Sequence, residues 1–182
     1  MARFPYLSKE DLPPEYQDLT PDINLTRLMV HSPNAARASR NGAMFIRNGS
    51  KLDPRLREMA IIQIGYSTRS VYEYAHHVRI GLGFGVSEAD IRAIADETAG
   101  KPTQLDALTK AALAAARELT RDIKLSDATF AVLRQYLDNE RLMDLFFAIS
   151  TYCGVVRLLA ALEVDLEDEY RPYLEKFPLP KG

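Results

Sequence analysis

"LDPRLREMAIIQIGYSTRSVYEYAHHVRIGLGFGVSEADI", residues 52–91, decides how this chain folds. Asp53-Pro54 opens it with a helix start. Aspartate at the N-cap accepts from a free backbone amide, and proline just inside has no amide to leave unpaired. Leu56, Met59, Ala60, Ile62 and Ile64 then give the apolar cover of a helix through "PRLREMAIIQIGY". The chain must turn near Ser67-Thr68, and Ser70 can open the next helix. Gly83 or Gly85 reads as the left-handed residue that ends it. Ser87 with Asp90 three residues on opens a further helix through a carboxylate form of the capping box.

Outward from this stretch the same periodicity continues. "NLTRLMVHS" and "PNAARASRNGAMFIRNG", residues 24–32 and 33–49, read as two helices divided by Pro33. Thr103 with Asp106 repeats that capping signal before "ALTKAALAAARELTR", a run rich in the strongest helix formers. Ser126 begins "DATFAVLRQYLD". The run from Leu142 to Leu162 is apolar apart from small groups and Arg157, the profile of a helix covered on most sides by core or by a subunit contact. Strand alternation is missing throughout. The expectation is an all-α protein of about seven to eight helices, with an arm over residues 1–22, one helical domain over 23–170 and a tail over 171–182. Pro5, Pro13, Pro14 and Pro21 make the arm extended with one short helix, of a kind that can cross a neighbouring subunit. Pro172, Pro178 and Pro180 make the tail irregular.

The totals exclude several functions. A net charge of −2 gives no basic field for nucleic acid or an anionic membrane, and no eighteen-residue apolar run is unbroken. Cys153 is the one cysteine, so no intramolecular disulfide forms. The N-terminus has no apolar core of signal-peptide type, and the chain is expected in the cytoplasm. "GLGFG", Gly81 to Gly85, follows a helix and not a strand, against a nucleotide-binding loop. The acidic cluster Glu163, Asp165, Glu167, Asp168 and Glu169 reads as solvated surface.

Chemistry concentrates at residues 58–77. On a helix Ser70, Glu73 and His77 fall within roughly 60° of one another, flanked by Tyr66 and Tyr74. Glu58, on the preceding helix, can fold back toward them. Two carboxylates beside one imidazole make an acid–base set. Ser-x-x-Glu is also the capping-box pattern, on which reading Ser70 and Glu73 satisfy backbone amides and His77 is a core histidine. His76 and His77 are adjacent and face different directions, which argues against a metal site.

Residues 52–91 resemble the carboxymuconolactone decarboxylase family, which includes the alkylhydroperoxidase D-like (AhpD-like) proteins. "YCGVVRLLAALEVDLED", residues 152–168, looks like that family's closing helix. The resemblance is good over roughly residues 40–100 and looser elsewhere. It implies an AhpD-like helical bundle and a homo-oligomer, as dimer, trimer or hexamer. In the peroxidase branch the working set is a glutamate followed by Cys-x-x-Cys-x-x-x-His. Here those positions fall on Glu58, Ser70, Glu73 and His77, so both thiols are absent. A thiol peroxidase needs one thiolate to attack and a second thiol to resolve. The name-giving decarboxylase also lacks the pair. By resemblance, then, Glu58, Glu73 and His77 are catalytic candidates and Ser70, Tyr66 and Tyr74 substrate-binding ones, with no metal and no cofactor. The implied activity is protonation and decarboxylation, or a related proton transfer, of a small organic acid or lactone. The alternative is a non-catalytic oligomeric binding or structural member.

Overall fold

A computed structural model describes residues 1–19 and 22–180; Pro21, one of the arm prolines, lies outside them. The described residues form nine α-helices and no strand: α1 (Asn24–Met29), α2 (Pro33–Met44), α3 (Pro54–Thr68), α4 (Val71–Gly83), α5 (Glu88–Thr98), α6 (Ala107–Arg121), α7 (Asp127–Tyr136), α8 (Asn139–Leu162) and α9 (Arg171–Lys176). The fold is all-α as expected, and α1 and α9 are each only six residues long.

Local chemistry sets most boundaries. Asp53 accepts from the Leu56 amide at 2.9 Å, and the Ser87–Asp90 capping box forms. Ser126 caps α7 through the Thr129 amide. The start of α6 differs from the sequence reading. Asp106 itself is the N-cap, bonding the Thr109 amide at 2.8 Å, while the Thr103 hydroxyl turns back to Glu97. Gly85, at φ 88°, follows the end of α4 in the left-handed region.

Helix α3 is the centre of the bundle. Every residue from Leu56 to Gly65 is buried, because α4, α5, α6 and α8 all pack against it. One apolar cluster joins Leu56, Ala60 and Ile64 to α6, α7 and α8; another joins Met59 and Ile62 to α4, α5 and Phe177 of the tail. The turn into α4 is tight. Arg69 adopts a left-handed φ of 53°, and the Ser70 amide bonds Gly65 O at 3.0 Å. At Gly65 a Cβ would stand 2.8 Å from the Tyr74 backbone nitrogen, so only glycine lets the two helices approach this closely. That approach brings Glu58 opposite His77.

Helix α8 has the length and a mean hydropathy, 1.9, that would suit a membrane span. Its Leu145, Ile149, Val156 and Leu159 are instead buried in the bundle. The cover stops there: Met143 and Phe147 are exposed, as are Gly154, Arg157 and Ala161 along the same side. Within the chain, then, α8 is not covered on most sides. Arg157 is a surface arginine bonding the Cys153 carbonyl.

The arm and the region after α8 also depart from expectation. The arm holds two short 3₁₀ turns and packs on its own chain, burying Leu12 and Leu19 with Val30 and Ala36. The tail is not irregular throughout, since α9 forms with Pro172 in its first turn and Phe177 enters the core. The acidic cluster is only partly solvated. Glu167 accepts from the Asn24 amide, the Tyr72 hydroxyl and His76, and Asp165 accepts from Tyr6.

Candidate functional site

Four charged side chains from α3 and α4 meet in the interior. The Arg57 Nε donates to Glu58 Oε1 at 2.9 Å. Glu58 Oε2 stands 2.7 Å from His77 Nδ1, and His77 Nε2 stands 3.1 Å from Glu73 Oε1. The second contact is close but out of line, so Glu73 Oε1 has no hydrogen-bond partner among the described residues. Arg57, Glu58, Glu73 and His77 are each no more than 5% exposed. A buried charge without a partner is costly, and here Glu58 answers both Arg57 and His77.

The protonation pattern follows from the order of these groups. Burial pushes the Glu58 carboxyl up, but His77 and Arg57 outweigh it and hold it below its ordinary value. An ionised carboxylate only accepts, so His77 Nδ1 carries the proton in that contact. Burial works against the charge on His77, yet Glu73 and Glu58 together raise it above the ordinary imidazole value. Glu73 has no donor aligned on Oε1. Burial pushes its carboxyl up to about 7, with the Glu58 charge adding to the rise and His77 opposing it. The Glu73 carboxyl is thus poised near neutral pH beside an imidazole raised above its ordinary value. That is the range in which a general acid or base works best.

Tyr152 of α8 packs edge-on to His77, with ring centroids 4.7 Å apart. Behind Arg57 the end of α2 widens into a π-helical turn, Phe45–Gly49, and the Arg57 Nη1 takes up the Ile46 and Arg47 carbonyls at 3.3 Å each. Such turns are rare and recur at functional sites. Phe84 lies over the Arg57 guanidinium at 4.9 Å.

The sequence candidates divide into two groups. Glu58, Glu73 and His77 converge. Ser70 is the N-cap of α4 but makes no side-chain cap bond, and Glu73 turns inward to His77, so the capping box does not form. Ser70 instead lines an open cleft of about 690 Å³ between the start of α4 and the end of α8, with Tyr72, Val156 and Arg157. Neither His77 nor Glu73 lines that cleft. Tyr66 and Tyr74 pair with each other at 6.0 Å and pack in the cluster around Met59, away from the imidazole. Arg57 and Tyr152 were missed. An arginine beside Glu58 inside an apolar helix was the available signal for a buried ion pair.

His76 points elsewhere, as its adjacency to His77 requires. It is stacked between Tyr72 and Tyr170, at 4.2 and 3.6 Å, and bonds Glu167 through Nε2 at 2.8 Å. Burial lowers its pKa, and the Glu167 contact only partly offsets this. Cys153 is buried, with the Thr120 hydroxyl 3.3 Å from its sulfur.

Residues 33–118 match the model of the carboxymuconolactone decarboxylase family, a segment that holds Arg57, Glu58, Glu73 and His77. Among solved structures, a peroxidase-related protein from Ralstonia eutropha JMP134 with an alkylhydroperoxidase AhpD core aligns at TM-score 0.79 and 16% identity, over 99% of this chain and 98% of that one. A cysteine-to-alanine variant of the debrominase Bmp8, in complex with 2,3,4-tribromopyrrole, aligns at 0.80 and 18%, over 97% and 100%. A peroxidase-related protein from Silicibacter sp. TM1040 aligns at 0.75 and 17%, over 92% of each chain. No curated protein matches. At these identities the likeness is one of fold.

Proposed function

From the membership of residues 33–118 in the carboxymuconolactone decarboxylase family, we propose that the chain carries out cofactor-independent acid–base chemistry, decarboxylation or proton transfer, on a small organic acid or lactone. One observation carries this reading: His77 is held between two carboxylates of opposite bias, Glu58 at 2.7 Å and Glu73 at 3.1 Å. Glu58, fixed by Arg57, sets the tautomer and orientation of the ring. Glu73, poised near 7, shares the mobile proton with Nε2. The proton reaches substrate from this end, and Glu73 takes it back from solvent once carbon dioxide or product has left. Substrate access requires Tyr152, which packs edge-on to the buried imidazole, to move. Thiol chemistry has no support in the residues: serine and glutamate stand at the two thiol positions, and Cys153 is buried.

The burial of all three groups also favours a second reading, a non-catalytic member whose cluster is structural. Titration of His77 by NMR, in the wild type and in Glu73→Gln, separates the two. On the acid–base reading His77 titrates above its ordinary value, and the value falls in the variant, because the larger raising charge is gone. No titration between about pH 5 and about pH 9, a range that brackets the reference imidazole, would leave the structural reading standing.

We also propose that the chain assembles with copies of itself through the uncovered side of α8. Met143 and Phe147 with the small Gly154 and Ala161 offer an apolar strip suited to close helix packing. Light scattering on the eluting protein is expected to give a multiple of the monomer mass, and Phe147→Glu to shift it toward the monomer. A wild-type monomer at micromolar concentration would end this part of the proposal.

A further inference from the structure

The charges around His77 do not balance within the chain. Glu58 is the carboxylate that answers both Arg57 and His77, while Glu73 keeps its proton until about neutral pH. Arg57 is pinned by three bonds through Nε and Nη1, yet its Nη2 is buried without a partner. A buried orphan donor on an otherwise fully bonded guanidinium calls for an acceptor. Arg47 lies on the π-helical turn whose carbonyls Arg57 holds; its side chain is exposed and makes no ion pair or hydrogen bond with any described residue. Its charge is felt inside only weakly: burial raises the Tyr152 hydroxyl, the two glutamates raise His77 against burial, and Arg47 offsets a small part of each. The geometry thus leaves a buried guanidinium N–H without an acceptor, and an exposed arginine on the turn whose carbonyls that guanidinium holds.

We infer that Arg47 is a specificity-determining residue of this centre, taking the carboxylate of an anionic ligand at the turn 45–49 with the Arg57 Nη2 behind it. Phe84, which lies over the Arg57 guanidinium and is 39% exposed, would meet the apolar part of the ligand. Guanidinium suits the role because its planar fork matches a carboxylate with two parallel bonds. The inference rests on reading the cluster as an acid–base centre, but it concerns binding and not turnover.

The test uses a saturated γ-lactone carrying an acetate side chain, and the same lactone as its methyl ester. Binding is measured by calorimetry and by shifts of the His77 and Tyr152 NMR signals. The wild type is expected to prefer the acid by about tenfold or more. Arg47→Gln should bind acid and ester alike, and Arg47→Lys should restore part of the preference. Arg47 is exposed, so both variants should melt with the wild type, which circular dichroism checks. The inference is overturned if Arg47→Gln keeps the preference, if the wild type binds acid and ester equally, or if it binds neither. Should His77 fail to titrate while the preference still depends on Arg47, the acid–base chemistry falls and the anion site stands.

Discussion

Replacing Glu58 by alanine is expected to remove about 3–5 kcal/mol of stability, the usual cost of deleting one partner from a buried ion pair. Domains of ordinary stability have about 5–15 kcal/mol in total, so this one change brings the protein to the edge of unfolding. The reason is the company Glu58 keeps. It is the shared acceptor of Arg57 Nε and His77 Nδ1, and neither donor can reach water. Alanine leaves two cations facing each other in the interior. Urea unfolding followed by circular dichroism measures the loss. In a double-mutant cycle with His77→Leu, the two losses should combine to less than their sum, because the second change removes a group the first has orphaned. Strict additivity would mean that Glu58 is held for packing and not for charge.

The second large effect is a pH dependence centred on Glu73. In the unfolded chain its carboxyl loses its proton near 4.5; in the folded protein it keeps it until about 7. The folded state therefore binds more protons than the unfolded state across that window, and stability falls as pH rises through it. At about 1.4 kcal/mol per pKa unit the loss is on the order of 3 kcal/mol by pH 8. His77, also raised, acts in the same direction: its contribution is complete below the ordinary imidazole value and is lost as pH rises through the folded one. Glu58, lowered, contributes stability above its ordinary value that is lost as pH falls through the folded one. The cluster is thus most stable under mildly acidic conditions. His76 runs the other way, since its lowered pKa makes the protein less stable as pH falls below the imidazole range. The difference between wild type and Glu73→Gln carries the Glu73 part together with the fall in the His77 pKa that its removal brings. The variant should be the more stable of the two near pH 8, with the advantage shrinking as pH falls and vanishing only below the unfolded value of 4.5. Parallel curves over that range would show that Glu73 is ionised at neutral pH like any surface carboxylate.

Much of this arrangement was legible in the residues. Asp53-Pro54, Ser87 with Asp90, and Ser126 state their helix starts in local chemistry that no tertiary contact overrides. The meeting of Glu58 with His77 was also readable, because one short turn between two helices fixes which faces can meet. Ser70 and Glu73 were ambiguous for a physical reason. Ser-x-x-Glu suits both a cap and a buried pair, and the choice depends on whether an imidazole waits inside at closer range than the backbone amide. Tyr66 and Tyr74 were misplaced because helical spacing gives a face but not what that face meets; both turn to the cluster around Met59. Glu167 read as a surface charge because its partners, His76 and Asn24, lie 91 and 143 positions away, beyond any local pattern.

The N-terminal arm has a consequence for kinetics. The Ala2 amide bonds Asp165 across 163 positions, the Arg3 amide bonds Leu162 O at 3.0 Å, and the Tyr6 hydroxyl bonds Asp165 at 3.0 Å. Contacts this distant in sequence close loops of 159 to 163 positions, and a folding chain meets that entropy before any reward. The helices can pack without them, so this seam zips last and parts first. Its amides will exchange with solvent through cheap local opening, while those of Ile61 and Ile62 in α3 will wait for the whole molecule to unfold.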